Sequence, residues 1–254
     1  GQVESVAGST HDVTDLKQIE EDLKSSNEEL KRANRELEEF AYVASHDLQE
    51  PLRTVNIYAQ LILRDVGGEA GKLSQYIGFI QQGVTRMEAL IEDLLTFSHA
   101  AQADDMTLGK ADLSVSLEEA LSILKNDIEA NAAIITAESL PTVAGDTSQM
   151  THVFQNLLSN ALKYRNKEVP ARICVSVKSD AGQWIVSVCD NGIGFDQRYA
   201  ERIFGLFKRL HTKEYPGTGM GLAICKRIVE RYGGRIWAEG KPHAGAAFHF
   251  SLPQ

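Results

Sequence analysis

The chain is short of cysteine, of net positive charge and of long apolar runs, and each shortage removes a class of protein. Its cysteines, Cys174, Cys189 and Cys225, form no CxxC pair and no metal-ligand spacing, so neither a disulfide framework nor a zinc module is expected. They read as ordinary buried thiols in a reducing compartment. A net charge of -9 argues against nucleic acid, because phosphate binding wants a basic face. No apolar stretch approaches the roughly 20 residues a membrane helix needs, and the start lacks the basic and apolar regions of a signal peptide. The fragment is therefore expected in the cytoplasm without membrane contact of its own, while a longer parent is free to be membrane-bound. Internal repeats are absent. So are the Gly-x-Gly-x-x-Gly fingerprint and a Walker lysine-serine pair, which sets aside Rossmann and P-loop nucleotide sites.

What is present begins with a heptad pattern. Leu16, Leu23, Leu30 and Leu37 recur every seven residues, as do Ile19, Ser26, Ala33 and Phe40. Their alternating spacings of three and four make a coiled-coil seam, with Glu, Lys and Arg on the other faces. A lone helix of this kind would leave its leucines wet, so a second, parallel copy is expected. The helix should run on through His46 and Pro51 to about Arg64 and turn at Val66-Gly67-Gly68. A second helix is expected over Gly71 to His99, with Leu73, Ile77, Ile80, Val84, Met87, Leu90 and Leu94 at helical spacing. Two antiparallel helices per chain, doubled by dimerisation, make a four-helix bundle. Ala100 to Lys110 is polar and reads as a linker.

Beyond it the period changes repeatedly. Helices are expected at 115–130, 147–164, 199–204 and 219–232, and strands at 134–137, 142–144, 172–178, 183–189, 235–238 and 246–252. Paired strands alternating with helices predict a mixed sheet covered by helices on one face.

Four motifs carry chemistry. In Ser45-His46-Asp47-Leu48-Gln49-Glu50-Pro51, a histidine beside a carboxylate precedes a proline that has no N–H to give residue 47, which predicts a kinked helix next to His46. Asn156, Asn160, Lys163 and Tyr164 fall on one helix face. An asparagine carbonyl is a hard oxygen that suits Mg²⁺, a lysine meets phosphate, and a tyrosine offers a flat surface to a base. Asp190 ends an apolar strand before Asn191-Gly192-Ile193-Gly194, where a carboxylate accepts a hydrogen bond from an exocyclic amino group and glycines admit a close ligand. Gly217-Thr218-Gly219-Met220-Gly221 opens a helix whose first N–H groups favour phosphate. Each has a plainer reading by itself: a surface histidine, asparagines bonded to nearby backbone, an Asp-Asn-Gly turn. Their fixed order carries the case.

As a set these motifs resemble the sensor histidine kinases of two-component systems. The resemblance covers essentially everything from Asp12 to Pro253. It implies an all-α helical hairpin with an N-terminal coiled coil, followed by an α/β two-layer sandwich of the Bergerat ATP-binding type. The domains are then 1–15, the end of a PAS-like sensor domain, for which a disordered tail is the equal alternative; 16–40, a coiled-coil signalling helix; 41–101, the dimerisation and histidine phosphotransfer domain; 102–110, a linker; and 111–254, the catalytic domain. The cofactors implied are ATP and Mg²⁺. His46 would accept the phosphoryl group, with Asp47 orienting its ring. Asn156 and Asn160 would serve the nucleotide, Asn160 holding Mg²⁺. Lys163 and Arg209 would touch phosphates, Tyr164 would pack at the nucleotide, and Asp190 would read adenine. Gly192, Gly194, Gly217, Thr218, Gly219 and Gly221 would shape the pocket, and Leu210–Pro216 would form a lid. Ile203 to Arg209 looks like the phenylalanine box of this group. The partners implied are a second copy of the chain, an upstream sensor domain and the receiver domain of a response regulator.

Two rivals fit parts of the pattern. An ATP-driven switch without kinase activity leaves His46 on a dimerising helix unexplained, and a degenerate, non-catalytic scaffold leaves the complete set of boxes unexplained. One position departs from the family pattern. Four residues after the histidine, where many such kinases carry Thr or Asn to position the water that dephosphorylates the regulator, this chain has Glu50. An ionised carboxylate cannot donate a hydrogen bond there and repels the aspartyl phosphate. Glu50→Thr should therefore speed decay of the phosphorylated regulator in the presence of ADP without abolishing autophosphorylation; fast decay with the native chain would assign the water to another residue.

Overall fold

A computed structural model describes residues 17, 24, 26, 27, 48, 49, 51–62, 70–101, 109–210, 215 and 217–254. The PAS-like end, most of the coiled-coil segment, the Val66-Gly67-Gly68 turn, and His46, Asp47 and Glu50 lie outside the described residues, as does the kink expected beside His46.

The first described helix, α1, covers residues 51–62. Helix α2 follows at Ala70–Ala101. The two run antiparallel: Tyr58 stacks on Phe79 at 4.6 Å between ring centroids and meets Tyr76 at 5.8 Å. At Gly83 of α2 the helices touch through backbone. A Cβ built there would sit 3.0 Å from Val55 Cγ2 and 3.2 Å from the Pro51 carbonyl oxygen, so hydrogen is the side chain that fits. Along α2, Leu73, Ile77, Val84, Ile91 and Leu95 remain exposed, as do Leu52 and Ile57 on α1. Among the described residues no helix is long and apolar enough to cross a membrane.

The rest of the chain follows the order β1 (Lys110–Asp112), α3 (Leu113–Ile123), α4 (Lys125–Ala130), β2 (Ile134–Ala137), β3 (Thr142–Ala144), α5 (Thr147–Lys163), β4 (Arg172–Asp180) and β5 (Gln183–Asp190). Two 3-10 turns at Gln197–Tyr199 and Arg202–Phe204 precede α6 (Gly221–Arg231), β6 (Arg235–Gly240) and β7 (Ala246–Pro253). The main sheet has the order β2-β4-β5-β7-β6. It is mixed, because β2 runs parallel to β4 while the other neighbours are antiparallel. Strand alternation puts Ile173, Val175, Val186 and Val188 inward, into the core that residues of α5 and α6 also enter. Phe154 of α5 meets Phe250 of β7 edge-on at 5.8 Å in the centre of this core.

Local chemistry sets the boundaries. Asp112 and Asp146 cap α3 and α5, their Oδ1 atoms accepting from Ser114 N at 2.8 Å and Gln149 N at 2.9 Å. Ala181 and Gly182, at φ 48° and 77°, form the two-residue turn that joins β4 to β5.

The element pattern differs from the sequence expectation in four places. Lys110, read as the last linker residue, opens β1, which pairs antiparallel with β3; a three-residue strand is too short for its period to register. The helix expected over 115–130 breaks at Leu124, which leaves the helical region (φ -89°, ψ 7°) and is buried there. The short helix at 199–204 is a pair of 3-10 turns. The last helix begins at Gly221 instead of Gly219, because Gly219 has φ 79°.

The hairpin yields a paired test. Gly78 has open space around its missing side chain, so Gly78→Ala should stabilise the protein by about 0.5–1 kcal/mol through helix propensity. Gly83→Val, which drives methyls into the Pro51 carbonyl, should destabilise it by about 1–3 kcal/mol. Thermal unfolding of both variants checks the contrast.

Candidate nucleotide site

Helix α5 is divided lengthwise. Met150, Val153, Phe154, Leu157, Leu158, Ala161 and Leu162 are buried in the core, and Asn156, Ser159, Asn160 and Lys163 face a cavity on the other side. Tyr164, the cap residue, reaches the same cavity. Its volume is about 420 Å³. Asp190, at the end of β5, lines it together with Gly194, Arg209, Gly217, Thr218, Gly219 and Gly221. Among the described residues, those singled out for the nucleotide thus share one space, with a single exception.

That exception is Gly192, which does not line the cavity. Its amide donates to Asp190 Oδ1 at 2.8 Å, and a side chain there would collide with the Tyr164 carbonyl oxygen. Gly192 therefore shapes the Asp190 carboxylate and touches no ligand space itself. Ala246 N donates to the same Asp190 oxygen at 3.2 Å. Burial pushes the Asp190 carboxyl up from its usual range, and these two amides partly offset the effect. Because both bonds land on Oδ1, the carboxylate is held in one orientation in the cavity wall.

Two cations, Lys163 and Arg209, line the cavity and influence each other electrostatically. Lys163 is half-buried, and burial together with nearby Arg209 lowers its pKa from the lysine value. Its ammonium lies 4.9 Å over the Tyr164 ring. Arg209 donates from Nη2 to the Tyr215 carbonyl oxygen, and Tyr215 packs on Tyr164 with ring centroids 4.9 Å apart. An anion beside the two cations would relieve their repulsion and raise the lysine pKa again. Asn156 Nδ2 donates to the His152 carbonyl at 3.1 Å, and Asn156 Oδ1 lies so close to Gly221 that any side chain at 221 would displace it. Of the lid proposed over 210–216, Leu210 lines the cavity and Tyr215 packs beside it; residues 211–214 and 216 lie outside the described residues.

Magnesium fits this donor set only in company with phosphate. Among the described residues no group of three or more His, Cys, Asp or Glu side chains gathers as a metal site. The Asn160 amide oxygen is a single hard ligand, which suits an ion that keeps its waters and shares the phosphates of a bound nucleotide.

Sequence pattern alone does not single out Asp93, Phe195 or Phe248, all of which line the cavity. Asp93 sits on α2, far away in sequence. Its Oδ2 accepts a hydrogen bond from Thr218 Oγ1, and burial raises its pKa. Four residues on, Phe97 packs under the Arg227 guanidinium of α6 at 5.6 Å. The one available signal was an acid beside the apolar stripe Leu90, Leu94 and Phe97, which helical spacing reads as a solvated flank. The cysteines also depart from expectation: Cys225 is buried, but Cys174 is exposed and Cys189 half-buried, because β4 and β5 turn them to the outer face of the sheet.

Comparison with known families accounts for both halves. Residues 145–254 match the family described as histidine kinase-, DNA gyrase B- and HSP90-like ATPase, and residues 36–103 match the His Kinase A phospho-acceptor domain. The chain therefore carries, in that order along the sequence, the acceptor and ATPase modules that make up the core of a histidine kinase. Cyanobacterial phytochrome A of Nostoc sp. is 43% identical over 218 residues, which cover 85% of this chain and 28% of that protein. The adaptive-response sensory kinase SasA of Synechococcus sp. is 34% identical over 222 residues, 85% of this chain and 56% of that one. The chain thus spans less than a third of the length of the phytochrome it matches. Among solved structures, histidine kinase ThkA in complex with response regulator protein TrrA superposes with a TM-score of 0.64 at 22% identity, covering 85% of this chain and 61% of that one; the likeness bears on the fold.

Asp190→Ala should cut the preference for ATP over GTP by about tenfold, since losing a hydrogen bond to a buried polar group costs about 1–3 kcal/mol. Asn160→Ala should remove the Mg²⁺ dependence of nucleotide binding. Titration with fluorescent nucleotides checks both, and unchanged affinity and selectivity in the two variants would refute the site.

Proposed function

We propose that this chain is the kinase core of a PAS-linked sensor protein-histidine kinase, which phosphorylates its own His46 from ATP and passes the phosphoryl group to an aspartate of a response regulator. The observation that carries the reading is the cavity itself. Its wall holds a fixed carboxylate, Asp190, and the cations Lys163 and Arg209, in a chain whose acceptor-domain match includes His46.

Asp190 accepts the exocyclic amino hydrogen of adenine, and guanine presents an acceptor at the equivalent position. Tyr164 packs against the nucleotide. Lys163 and Arg209 neutralise phosphate charge, and the amides following Gly217 receive phosphate oxygens. Asn160 would hold Mg²⁺, which would supply further charge neutralisation when bound. Neutral imidazole is a competent nucleophile near its ordinary pKa of about 6.5. A ring nitrogen of His46 attacks the γ-phosphorus, the bond to the bridging β-γ oxygen breaks, and ADP leaves. Asp47 orients the ring and takes its proton. Positioning and charge neutralisation provide most of the rate enhancement in such a transfer.

The working unit is a homodimer. Leu73, Ile77, Val84, Ile91 and Leu95 lie exposed at spacings of four, seven, seven and four along α2, a stripe that a second copy would cover. The coiled-coil segment 16–40 would continue that pairing toward a PAS-like sensor ending near residue 15. The kinase ThkA, of the same fold, has been solved in complex with the response regulator protein TrrA, which supports a receiver domain as the partner here. A cytoplasmic setting fits ATP and such a partner.

His46→Ala should abolish labelling from γ-labelled ATP while leaving ATP affinity unchanged, because the acceptor and the nucleotide site occupy different modules. The label on the native chain should be acid-labile and base-stable, as phosphohistidine is. Labelling that survives the substitution would place the acceptor elsewhere.

A further inference from the structure

Cys174 and Cys189 are fifteen positions apart in the chain and directly opposite in the sheet. Both point away from the helices, to the outer face, where Cys174 is exposed and Cys189 half-buried. They share a shallow depression with Thr136, Arg172 and Asn191. The next residue after Cys189 is Asp190, whose side chain points the other way, into the nucleotide cavity.

The pairing type follows from the register. Asn191 N donates to Arg172 O at 3.3 Å, so 172 and 191 form a hydrogen-bonded pair. Such pairs alternate along an antiparallel ladder, which makes Cys174 and Cys189 hydrogen-bonded as well, with Cα atoms about 5.5 Å apart. That separation lies within the range a disulfide spans, about 4.4–6.8 Å. The Cβ atoms of such a pair start farther apart than the roughly 3.8 Å a disulfide prefers. A bond between them would be strained, easily reduced, and able to draw β4 and β5 together.

We propose that Cys174 and Cys189 form a reversible intramolecular disulfide on exposure to hydroperoxides, and that this bond weakens ATP binding by displacing Asp190. Cys174 is the exposed thiol and reacts first. Its sulfur takes one oxygen of hydrogen peroxide, the O–O bond breaks, and water leaves behind a sulfenic acid. The Cys189 sulfur then displaces the hydroxyl from that sulfur, releasing a second water, so two thiols and one peroxide give one disulfide and two waters. Burial, reinforced by neighbouring Cys174, Asp190 and Glu239, pushes the Cys189 thiol up, so the exposed Cys174 is the one oxidised first. Transient, sensing disulfides of this kind are the sort that occur in reducing compartments. Coupling to the site is short. The Asn191 side chain joins the two strand ends, its Oδ1 accepting from Arg172 N at 2.8 Å and its Nδ2 donating to the Pro170 carbonyl at 3.0 Å, so movement of one strand end is carried to the residue beside Asp190.

The full chain, treated with stoichiometric hydrogen peroxide, should lose two hydrogen atoms by intact mass and yield a crosslinked Cys174–Cys189 peptide. Only Cys225 should then remain open to alkylation after denaturation. ATP affinity should fall about tenfold, the loss expected when one hydrogen bond to a buried polar group is disturbed, and dithiothreitol should restore it. Cys174→Ser and Cys189→Ser should each abolish both changes. Oxygen added to separate cysteines, a bond between two chains, or an affinity loss that persists in either serine variant would overturn the inference. The affinity half rests on Asp190 reading adenine, and Asp190→Ala separates the two ideas. If the disulfide forms and ATP still binds normally while Asp190→Ala is weakened, the switch is refuted and the site stands. If neither changes affinity, the assignment of Asp190 falls with it.

Discussion

Helix α5 has to bury one side of itself before its other side can serve a ligand. Its inward residues, from Met150 to Leu162, are almost wholly removed from water, and Phe154 locks against Phe250 of the sheet. A helix anchored along its length that way has no freedom to rotate. Asn156, Asn160 and Lys163 are therefore aimed by core packing, and no contact among themselves is needed to aim them. Close packing on the other side sets the remaining limit: Gly221 fits against the Asn156 amide only because it has no side chain.

The electrostatics of the cavity follow from the same burial. Lys163 loses part of its hydration to the walls and lies near Arg209, so both effects lower its pKa. Asp190 is pushed the opposite way and is held ionisable by amides donated from Gly192 and Ala246. A cavity that disfavours a lone cation and orients a carboxylate would suit a molecule with an anionic tail and a hydrogen-bond donor head. Neither preference would survive on a wet surface, where screening reduces such effects to little.

The acceptor module and the ATPase module meet where α2 lies along α6. Thr218, in the Gly217–Gly221 loop, donates to Asp93 of α2, and Phe97 lies under Arg227. The loop that would receive phosphate is thus hydrogen-bonded to the helical hairpin in this arrangement, so its freedom and the position of the hairpin are coupled.

The sequence by itself determined the order of the boxes, the face shared by Asn156, Asn160, Lys163 and Tyr164, and most strand and helix positions among the described residues. These depend on local periodicity and on residues whose chemistry is conspicuous where it stands, such as Asp190 before its glycines. The tertiary structure decided what depends on partners remote in sequence. It showed that Lys110 begins a strand because β3 is there to pair with it, and that the helix after residue 113 bends where Leu124 is buried. It made Gly192 a shaper of the Asp190 carboxylate and took it out of the cavity lining. It brought Asp93 to the site across more than a hundred residues, and it set Cys174 opposite Cys189 on the outer face, where a reading from composition would bury them. Local pattern specifies which side of a strand or helix a residue occupies; only the pairing of strands and the packing of helices determine what it will face.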